Sequence, residues 1–250
     1  MDILNVLLSS LPVDEPVRSV LVGVHWTVVC SRYCGMASTM QGEKPHGHEK
    51  VCDVGGLHTK KAHQLAEYAL SDILLEASIG MAAINSLIDP EFSGNGGQIE
   101  INAFDVLVRH GKGNNVALVG HFPFIPKLRQ QVGNLWVIEQ KPSKGEHPVT
   151  AAEELISQAD VVALTGSSLI NHTLDELLGF CQHGSIVLIL GPSSPLSPVL
   201  FAHGVTLISG TRIINEQAVL RTVSQGANFQ QVEGVKLVTL TKPGFESKIN

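Results

Sequence analysis

Residues Val116–Gly120 read VALVG, a short, continuous apolar run that ends on a glycine. Such a run is typical of a strand that is buried on both faces of a parallel sheet. More apolar runs follow, and helical segments separate most of them. The further predicted strands are Leu135–Ile138, Val161–Leu164, Ser185–Leu190, Val205–Ile208 and, as an edge strand, Val235–Leu240. This alternation predicts βαβ units, so the second half should be a Rossmann-like α/β domain with helices on both sheet faces.

The helices of this half carry their own start signals. A first helix is predicted over Phe124–Gln131. Thr150–Glu153 and Thr173–Glu176 both have the Thr-x-x-Glu pattern of a capping box, which predicts a helix start at each. Asn215 has the residue type of an N-cap and is predicted to begin the last helix.

The first half shows strands followed by helices, which indicates a small α+β domain. The predicted elements are an amphipathic helix in Met1–Leu11, strands over Arg18–Cys30 and Tyr33–Met40, and helices over Lys60–Leu70 and Ile73–Leu87. A Pro-, Gly- and Asn-rich loop over Asp89–Gly97 precedes a short helix over Asn102–His110. We place the domain boundary after this helix, which gives domains 1–112 and 113–250.

Composition narrows the classes of function. The 250 residues are 44% hydrophobic and 16% charged, with a net charge of −6 and no segment dense in Lys or Arg. This balance predicts a folded globular protein without a nucleic-acid or membrane partner. No apolar run approaches the length of a membrane span, and no basic segment precedes the N-terminal helix. We therefore expect a soluble, cytoplasmic protein, and a homo-oligomer as is common for enzymes of this size.

The cysteines and histidines are crowded in one stretch. Four cysteines are too few for a disulfide-stapled scaffold, so we expect reduced thiols. The crowded residues are Cys30, Cys34, His46, His48, Cys52, His58 and His63. They lack the paired Cys or His modules of structural zinc sites, so no metal site is predicted. Direct metal sequestration through Cys30 and Cys34 stays open as an alternative.

Small and polar residues recur where the predicted strands of the second half end. In parallel sheets of this kind, ligands bind outside the carboxyl ends of the strands, where the strand order reverses. The candidate ligand-binding residues are Gly120, Thr165, Gly166, Ser167, Gly191, Pro192, Ser193 and Ser194. They allow close backbone approach and offer hydroxyl groups, so together they predict a small-ligand site. The first loop lacks the G-x-G-x-x-G pattern, which argues against a dinucleotide, and no cofactor is assigned.

Two titratable residues at strand ends are candidate catalytic groups. His121 directly follows the first strand, where an imidazole can act as general acid or base. Glu139 ends the second strand, where a carboxylate can bind a ribose diol. A structural histidine and a solvated surface glutamate are the alternative interpretations.

Four motifs resemble a known family. They are VGHFP at 119–123, TGSSLINHTLDELL at 165–178, GPSSPLSPVLFAHGV at 191–205 and EASIGMAAIN at 76–85. In this order along nearly the whole chain, they are similar to the family described as "putative heavy-metal chelation". The resemblance implies an enolase-N-terminal-like domain followed by a Rossmann-like domain, with a site composed of residues from both. It also implies condensation or hydrolysis in the making of pterin-, flavin- or siderophore-like chelating molecules, or methyltransferase-like transfer.

The resemblance adds two residues of the first half to the predicted site. Glu76 would be catalytic and Asn85 would bind ligand. They are nine positions apart along the helix, about two and a half turns, so they should lie on opposite faces unless the helix breaks at Gly80. Besides direct metal sequestration, two functions stay open. One is an enzyme in which His121 and either Glu76 or Glu139 transfer protons on a small heteroaromatic or nucleoside-like molecule, and the other is a non-catalytic carrier or sensor of a metal complex or nucleoside-like ligand.

Overall fold

The computed structural model describes residues 2–42, 50–89, 98–99 and 102–245. His46, His48 and nearly all of the predicted loop over 89–97 lie outside the described residues. The first half contains α1 (Ile3–Ser9), β1 (Ser19–Val22), β2 (Trp26–Cys30), β3 (Cys34–Ser38), α2 (Ala62–Ala66) and α3 (Leu74–Leu87), with 3-10 helices at Leu57–Thr59 and Glu67–Leu70.

The three strands of the first half form an antiparallel sheet in the order β1-β2-β3. The single strand predicted over Arg18–Cys30 was wrong, because Val22 pairs with Thr27 and the chain reverses between them. Valines at 20, 22 and 24 continue the alternating pattern of a strand into this turn, so the turn is not visible in the sequence. The small domain is therefore a three-stranded sheet with helices, which confirms the α+β prediction.

The expectation of four reduced thiols was also wrong. Cys30 and Cys34 are direct partners across β2 and β3 and are joined by a disulfide. The three-residue turn between the strands brings their Cα atoms within 4.0 Å. Cys52 and Cys181 carry free thiols.

Helix α3 is the central element of the first half. Eleven of its fourteen residues are buried, including the carboxylate-bearing Glu76. Gly80 does not break the helix: a Cβ there would collide with the backbone of Ala69, so glycine lets the 3-10 helix Glu67–Leu70 pack directly on α3. The small residues thus serve close packing, and the helix runs unbroken from Leu74 to Leu87.

The second half, counted from Gln98 because β4 pairs with β11, is a mixed sheet with helices on both faces. Its helices are α4 (Ala103–Gly111), α5 (Ile125–Leu128), α6 (Ala152–Ile156), α7 (Leu174–Gly179) and α8 (Glu216–Ser224). Its strands are β4 (Gln98–Ile99), β5 (Asn115–Val119), β6 (Asn134–Glu139), β7 (His147–Pro148), β8 (Val161–Thr165), β9 (Ile186–Leu190), β10 (Leu207–Ile213) and β11 (Val235–Thr241).

The strand order confirms the predicted fold class. The eight strands lie in the order β4-β11-β10-β9-β8-β5-β6-β7, and the six from β10 to β7 are parallel. The chain first builds outward from β5 to β7 and then returns to β8 on the other side of β5. The order therefore reverses between β5 and β8, which is the switch point of a doubly wound sheet.

Alternate residues of the central strands enter different hydrophobic clusters. In β5, Val116 and Leu118 join one cluster, whereas Ala117 and Val119 join another. The second of these clusters also contains residues of the first half, such as Leu7 and Ile79. One sheet face is thus buried against the small domain as well as against its own helices. No helix among the described residues is long and apolar enough to cross a membrane.

Three local predictions for this half need correction. The strand predicted as an edge is not one, because β11 pairs antiparallel with both β10 and β4. Thr150 lies within a 3-10 helix, so α6 begins later and has no side-chain cap. Thr173 does precede α7, but its hydroxyl donates to Asn171 and caps no backbone N–H. The cap predicted at Asn215 is confirmed, since its side chain accepts from the N–H of Ala218.

Candidate functional site

The switch point brings together two of the predicted ligand-binding loops. Gly120 follows β5 with a φ of 108°, a conformation that favours glycine. A Cβ on Gly120 would lie 2.9 Å from the Cβ of Thr165, the last residue of β8. The carboxyl ends of β5 and β8 therefore meet at close range, as the sequence predicted.

Hydroxyl groups organise the loop after β8. The Thr165 hydroxyl and the Ser167 hydroxyl lie 2.9 Å apart, and Ser168 donates to the Thr165 carbonyl at 2.7 Å. Gly166 lets the next loop approach, because a Cβ there would lie 2.6 Å from both the amide nitrogen and the hydroxyl of Ser194. The loops after β8 and β9 are thus in direct contact.

The loop after β9 begins with a glycine that faces open space. Gly191 has a φ of 108°, and a Cβ there would meet no atom within 4 Å. The turn is closed by the Ser194 N–H, which donates to the Gly191 carbonyl at 3.0 Å. Ser193 and Ser194 follow Pro192 and are both 2% exposed, so their hydroxyls point into the protein.

Residues of the small domain hold this loop from the other side. The Ser38 N–H donates to the Ser193 hydroxyl at 2.9 Å, and that hydroxyl lies 3.1 Å from the Ser38 hydroxyl. The Asn85 amide group donates to the Met36 carbonyl at 3.0 Å and to the Ser193 carbonyl at 3.4 Å. Asn85 therefore lies at a junction of the two halves, in contact with the predicted ligand-binding residue Ser193.

Two polar atoms at this junction have no hydrogen-bond partner. They are the Oδ1 atom of Asn85 and the hydroxyl of Ser194, and both are buried. The orientation of the Asn85 amide follows from its neighbours, because only its NH₂ group can donate to two carbonyls. A buried polar atom left unpaired costs about 1–3 kcal/mol, so a polar group bound to either of these atoms would be stabilised there.

A cavity between the two halves lies beside the loop after β8. Its volume is about 450 Å³, within the range of small-molecule sites. The first half contributes Asp2, Leu4 and Leu70, and the second contributes Ser168, Leu169, His172, Leu174 and Asp175. His172 has a φ of 59° and its Nε2 lies 2.8 Å from the Ala69 carbonyl. His172 and Asp175 lie in the motif at residues 165–178, of which only Thr165, Gly166 and Ser167 were predicted to bind ligand.

His121 lies on the surface next to a carboxylate that the sequence did not single out. Its side chain is 65% exposed, and its Nδ1 lies 3.2 Å from Glu146, whose side chain is only 9% exposed. The Ser143 N–H, together with His121, holds the pKa of Glu146 below its usual value. Glu146 comes from the loop between β6 and β7, and nothing in its local sequence marks it as a partner of His121.

In the described part of the chain, no hydrogen bond or ion pair joins Glu139 to His121. Its carboxylate accepts from the N–H of the adjacent Gln140 at 3.0 Å. Both residues lie at the carboxyl edge of neighbouring strands, since β5 pairs with β6. Their catalytic roles stay predictions.

Glu76 lies at the opposite end of α3 from Asn85, about 13 Å away by the rise of a helix. Its carboxylate accepts from the Cys52 N–H at 2.7 Å and from the Ser71 hydroxyl at 2.6 Å. Burial works to raise the pKa of Glu76, but these hydrogen bonds outweigh it and the pKa is lowered. Hydrogen bonding to this carboxylate raises the pKa of the Cys52 thiol in turn. Glu76 thus anchors a segment of the small domain, apart from the Ser193–Ser194 loop.

The cysteines and histidines that are close together in the sequence do not form one cluster among the described residues. Within the described residues, one group of side chains could share a metal ion: Cys30, Cys34 and Glu216, whose ligand atoms lie within 4.8 Å of one another. His63 lies elsewhere, with its Nε2 2.8 Å from the Pro12 carbonyl. Since a disulfide joins the two sulfurs, this group does not fit a metal ion in its oxidised form.

Comparison with known proteins agrees with this architecture. An uncharacterised protein of Methanocaldococcus jannaschii is 27% identical over 190 residues, 72% of this chain and 70% of that protein. A structure of a DUF364-family protein of unknown function from Desulfitobacterium hafniense matches 96% of this chain and 98% of its own, with a TM-score of 0.85 and 27% identity. One from Pyrococcus horikoshii covers the same shares with a TM-score of 0.78 and 18% identity, which shows the fold alone.

Two family models match the chain, and both are described as "putative heavy-metal chelation". The DUF4213 model matches residues 4–88, and the DUF364 model matches residues 102–242, more than half of the chain. The chain therefore belongs to the DUF364 family.

Proposed function

We propose that this protein is an enzyme that binds a small polar molecule between its two halves, at the switch point of the sheet. The observation that supports this most is the pair of unpartnered buried atoms, Asn85 Oδ1 and Ser194 Oγ, contributed by different halves. Asn85 Oδ1 can only accept, so the ligand must present an N–H or O–H donor to it. A pterin- or flavin-like ring, with N–H groups at its edge, has this property.

The size of the proposed site follows from the sheet. The loop with Gly120 and His121 follows β5, and the loop with Ser194 follows β9, with β8 between them. Two strand spacings amount to roughly 10 Å. A ligand that reaches both loops must therefore be larger than a single small ring, which again favours a fused heteroaromatic compound.

His121 is the proposed proton-transfer group, with Glu146 rather than Glu76 or Glu139 as the carboxylate that orients it. A carboxylate on one ring nitrogen fixes the imidazole and leaves the other nitrogen for the substrate. Such an arrangement serves condensation or hydrolysis, in which a proton moves to or from a leaving group. Turnover is expected to fall about 100-fold or more in His121→Ala. Normal turnover in this variant would remove His121 from the proposed mechanism, whereas tight binding without conversion by the wild type would favour the carrier or sensor.

The proposal is tested by native mass spectrometry of the untagged protein and its Ser194→Ala variant, purified without added metals or chelators. We expect a retained organic mass on the wild type and a smaller bound fraction on the variant. Ser224→Ala, which removes an exposed hydroxyl of α8, is the control and should match the wild type.

A second measurement covers ligands that dissociate during purification. Biopterin and riboflavin are added separately, and the thermal unfolding midpoint is followed. A wild type with no retained mass and no shift with either compound would contradict the proposed ligand class.

A further inference from the structure

A second site lies on the far side of the small domain, where Cys30 and Cys34 meet the start of α8. Cys30 is fully buried, whereas Cys34 and Glu216 are partly exposed, so the group can be reached from solvent through these two residues. It lies beside a hydrophobic cluster formed by β2, β3 and α8, which is separate from the core that contains the switch-point strands. The site is thus independent of the proposed enzyme.

Arg18 fixes the carboxylate beside the sulfurs. Its backbone N–H donates to the Cys30 carbonyl at 2.7 Å, and its Nε donates to the Ser31 carbonyl at 2.9 Å. The same guanidinium contacts both oxygens of Glu216, at 2.9 and 2.7 Å. The carbonyls of Cys30 and Ser31 thus hold Arg18 in place, and Arg18 in turn orients the carboxylate of Glu216 beside the two cysteines.

The chemistry of the three groups favours a soft divalent cation. Thiolate sulfur and carboxylate oxygen both bind zinc, thiolates favour soft cations, and a water molecule can complete four-coordination. The charges also balance: two thiolates offset the cation, while Arg18 offsets Glu216. Oxidation removes this capacity, because disulfide sulfurs carry no charge.

We propose that the Cys30–Cys34 disulfide is the closed state of a redox-controlled metal site, which a dithiol reductant opens to bind one soft divalent cation. In the first step the reductant dithiol is oxidised to its own disulfide, and Cys30 and Cys34 become two thiols. In the second step the cation forms two metal–sulfur bonds and displaces two protons, while Glu216 provides an oxygen. This site differs from the proposed enzyme site in position, residues and ligand.

Metal binding would also connect parts of the chain that the disulfide does not. The disulfide closes a loop between residues four positions apart, which constrains the unfolded chain little. A metal shared with Glu216 would instead join the hairpin of the first half to α8 of the second. Bound metal should therefore stabilise the contact between the halves.

The experiment uses the full chain with Cys52→Ser and Cys181→Ser, so that the remaining thiols are those of Cys30 and Cys34. The protein is titrated with Cd²⁺ before and after reduction with a phosphine, and sulfur-to-cadmium charge-transfer absorption is recorded. We expect no band before reduction, and one cadmium per chain with a raised thermal midpoint after it. Absence of the band after reduction, an equal band before it, or loss of native circular dichroism on reduction would overturn the proposal.

Variants test the individual ligands. Cys34→Ser should abolish the band, and Glu216→Gln should weaken cadmium affinity at least about tenfold, since changes outside the first ligand sphere already cost that much. Glu233→Gln is the matched control, because Glu233 also pairs with an exposed arginine, Arg221, at 2.6 Å. A Glu216→Gln variant that binds like Glu233→Gln would remove Glu216 from the site.

Discussion

At the scale of single residues, the unpaired hydroxyl of Ser194 favours a role in ligand binding over a role in stabilising the fold. A residue selected for stability would have its hydroxyl paired, as Ser31 does with Ser86 at 2.6 Å. Ser194 is equally buried but has no hydrogen-bond partner for its hydroxyl.

We therefore predict opposite effects on stability for two similar substitutions. Ser194→Ala should leave the free energy of unfolding unchanged or raise it by up to about 1–3 kcal/mol, because it relieves an unmet desolvation cost. Ser31→Ala should lower it by about 1 kcal/mol or more, because it breaks a buried pair. Urea unfolding of the ligand-free proteins measures both, and a Ser194→Ala variant as unstable as Ser31→Ala would contradict the interpretation.

Glu76 predicts a pH dependence of stability. Its pKa is lowered from 4.5 in the folded protein, so its hydrogen bonds stabilise the fold above that pH and the stabilisation is lost as the pH falls through the folded pKa. Glu76→Gln should destabilise the protein by about 1–3 kcal/mol near neutral pH, with the difference from wild type shrinking in acid.

Unfolding by urea at several pH values between neutrality and acid gives this difference directly. Glu139→Gln is the control, because the Glu139 carboxylate accepts only from the neighbouring Gln140 N–H in the described contacts. A difference between Glu76→Gln and wild type that stays constant with pH would mean that the charge of Glu76 does not stabilise the fold.

At the scale of elements, helix α3 depends on one glycine for its position. A Cβ at Gly80 would collide with the backbone of Ala69, which cannot move aside as a flexible side chain could. Gly80→Ala should therefore destabilise the protein by about 1–3 kcal/mol or more, although alanine is the better helix former. Gly179→Ala in α7 meets no atom within 4 Å and should stabilise by up to about 1 kcal/mol. Thermal unfolding of both variants checks the contrast, and equal effects would show that packing does not decide at Gly80.

The parallel strands could be predicted from the sequence because buried strands are continuous apolar runs. The predicted Val161–Leu164 and the observed Val161–Thr165 differ by one residue. The turn at Gly23 and the disulfide could not be predicted, since both depend on the register of β2 against its neighbours. Helix caps also depend on a backbone conformation that the Thr-x-x-Glu pattern does not determine.

The candidate site was predictable to a similar degree. Gly120 and Gly191 follow strands and Thr165 ends one, and the sheet topology alone brings such residues to one edge. Glu146 was missed because it approaches His121 from a separate loop, 25 residues along the chain. Helical periodicity predicted that Glu76 and Asn85 would not point into one site, because nine positions along a helix place them on opposite faces.

At the scale of the whole molecule, the two halves share a core. Leu7, Leu65 and Ile79 of the first half belong to the same hydrophobic cluster as Val162 and Ile189 of the large sheet. Polar contacts cross between the halves as well, including the Arg18–Glu216 ion pair and the Ser38–Ser193 hydrogen bonds. Neither half buries its apolar face without the other, so we expect them to unfold together.

The two tryptophans allow a direct test of this cooperativity. Trp26 lies in β2 of the small domain and contacts Phe229, with ring centroids 5.6 Å apart, whereas Trp136 lies in β6 of the large sheet. In Trp136→Phe the fluorescence reports on Trp26, and in Trp26→Phe it reports on Trp136. Circular dichroism measured on each variant corrects for any change in its overall stability. In each variant, the urea midpoint from fluorescence should coincide with that from circular dichroism, because a shared core leaves no stable half-folded state. A fluorescence transition that precedes the loss of circular dichroism in one variant would show that the halves unfold separately, and a site built across them would then open without global unfolding.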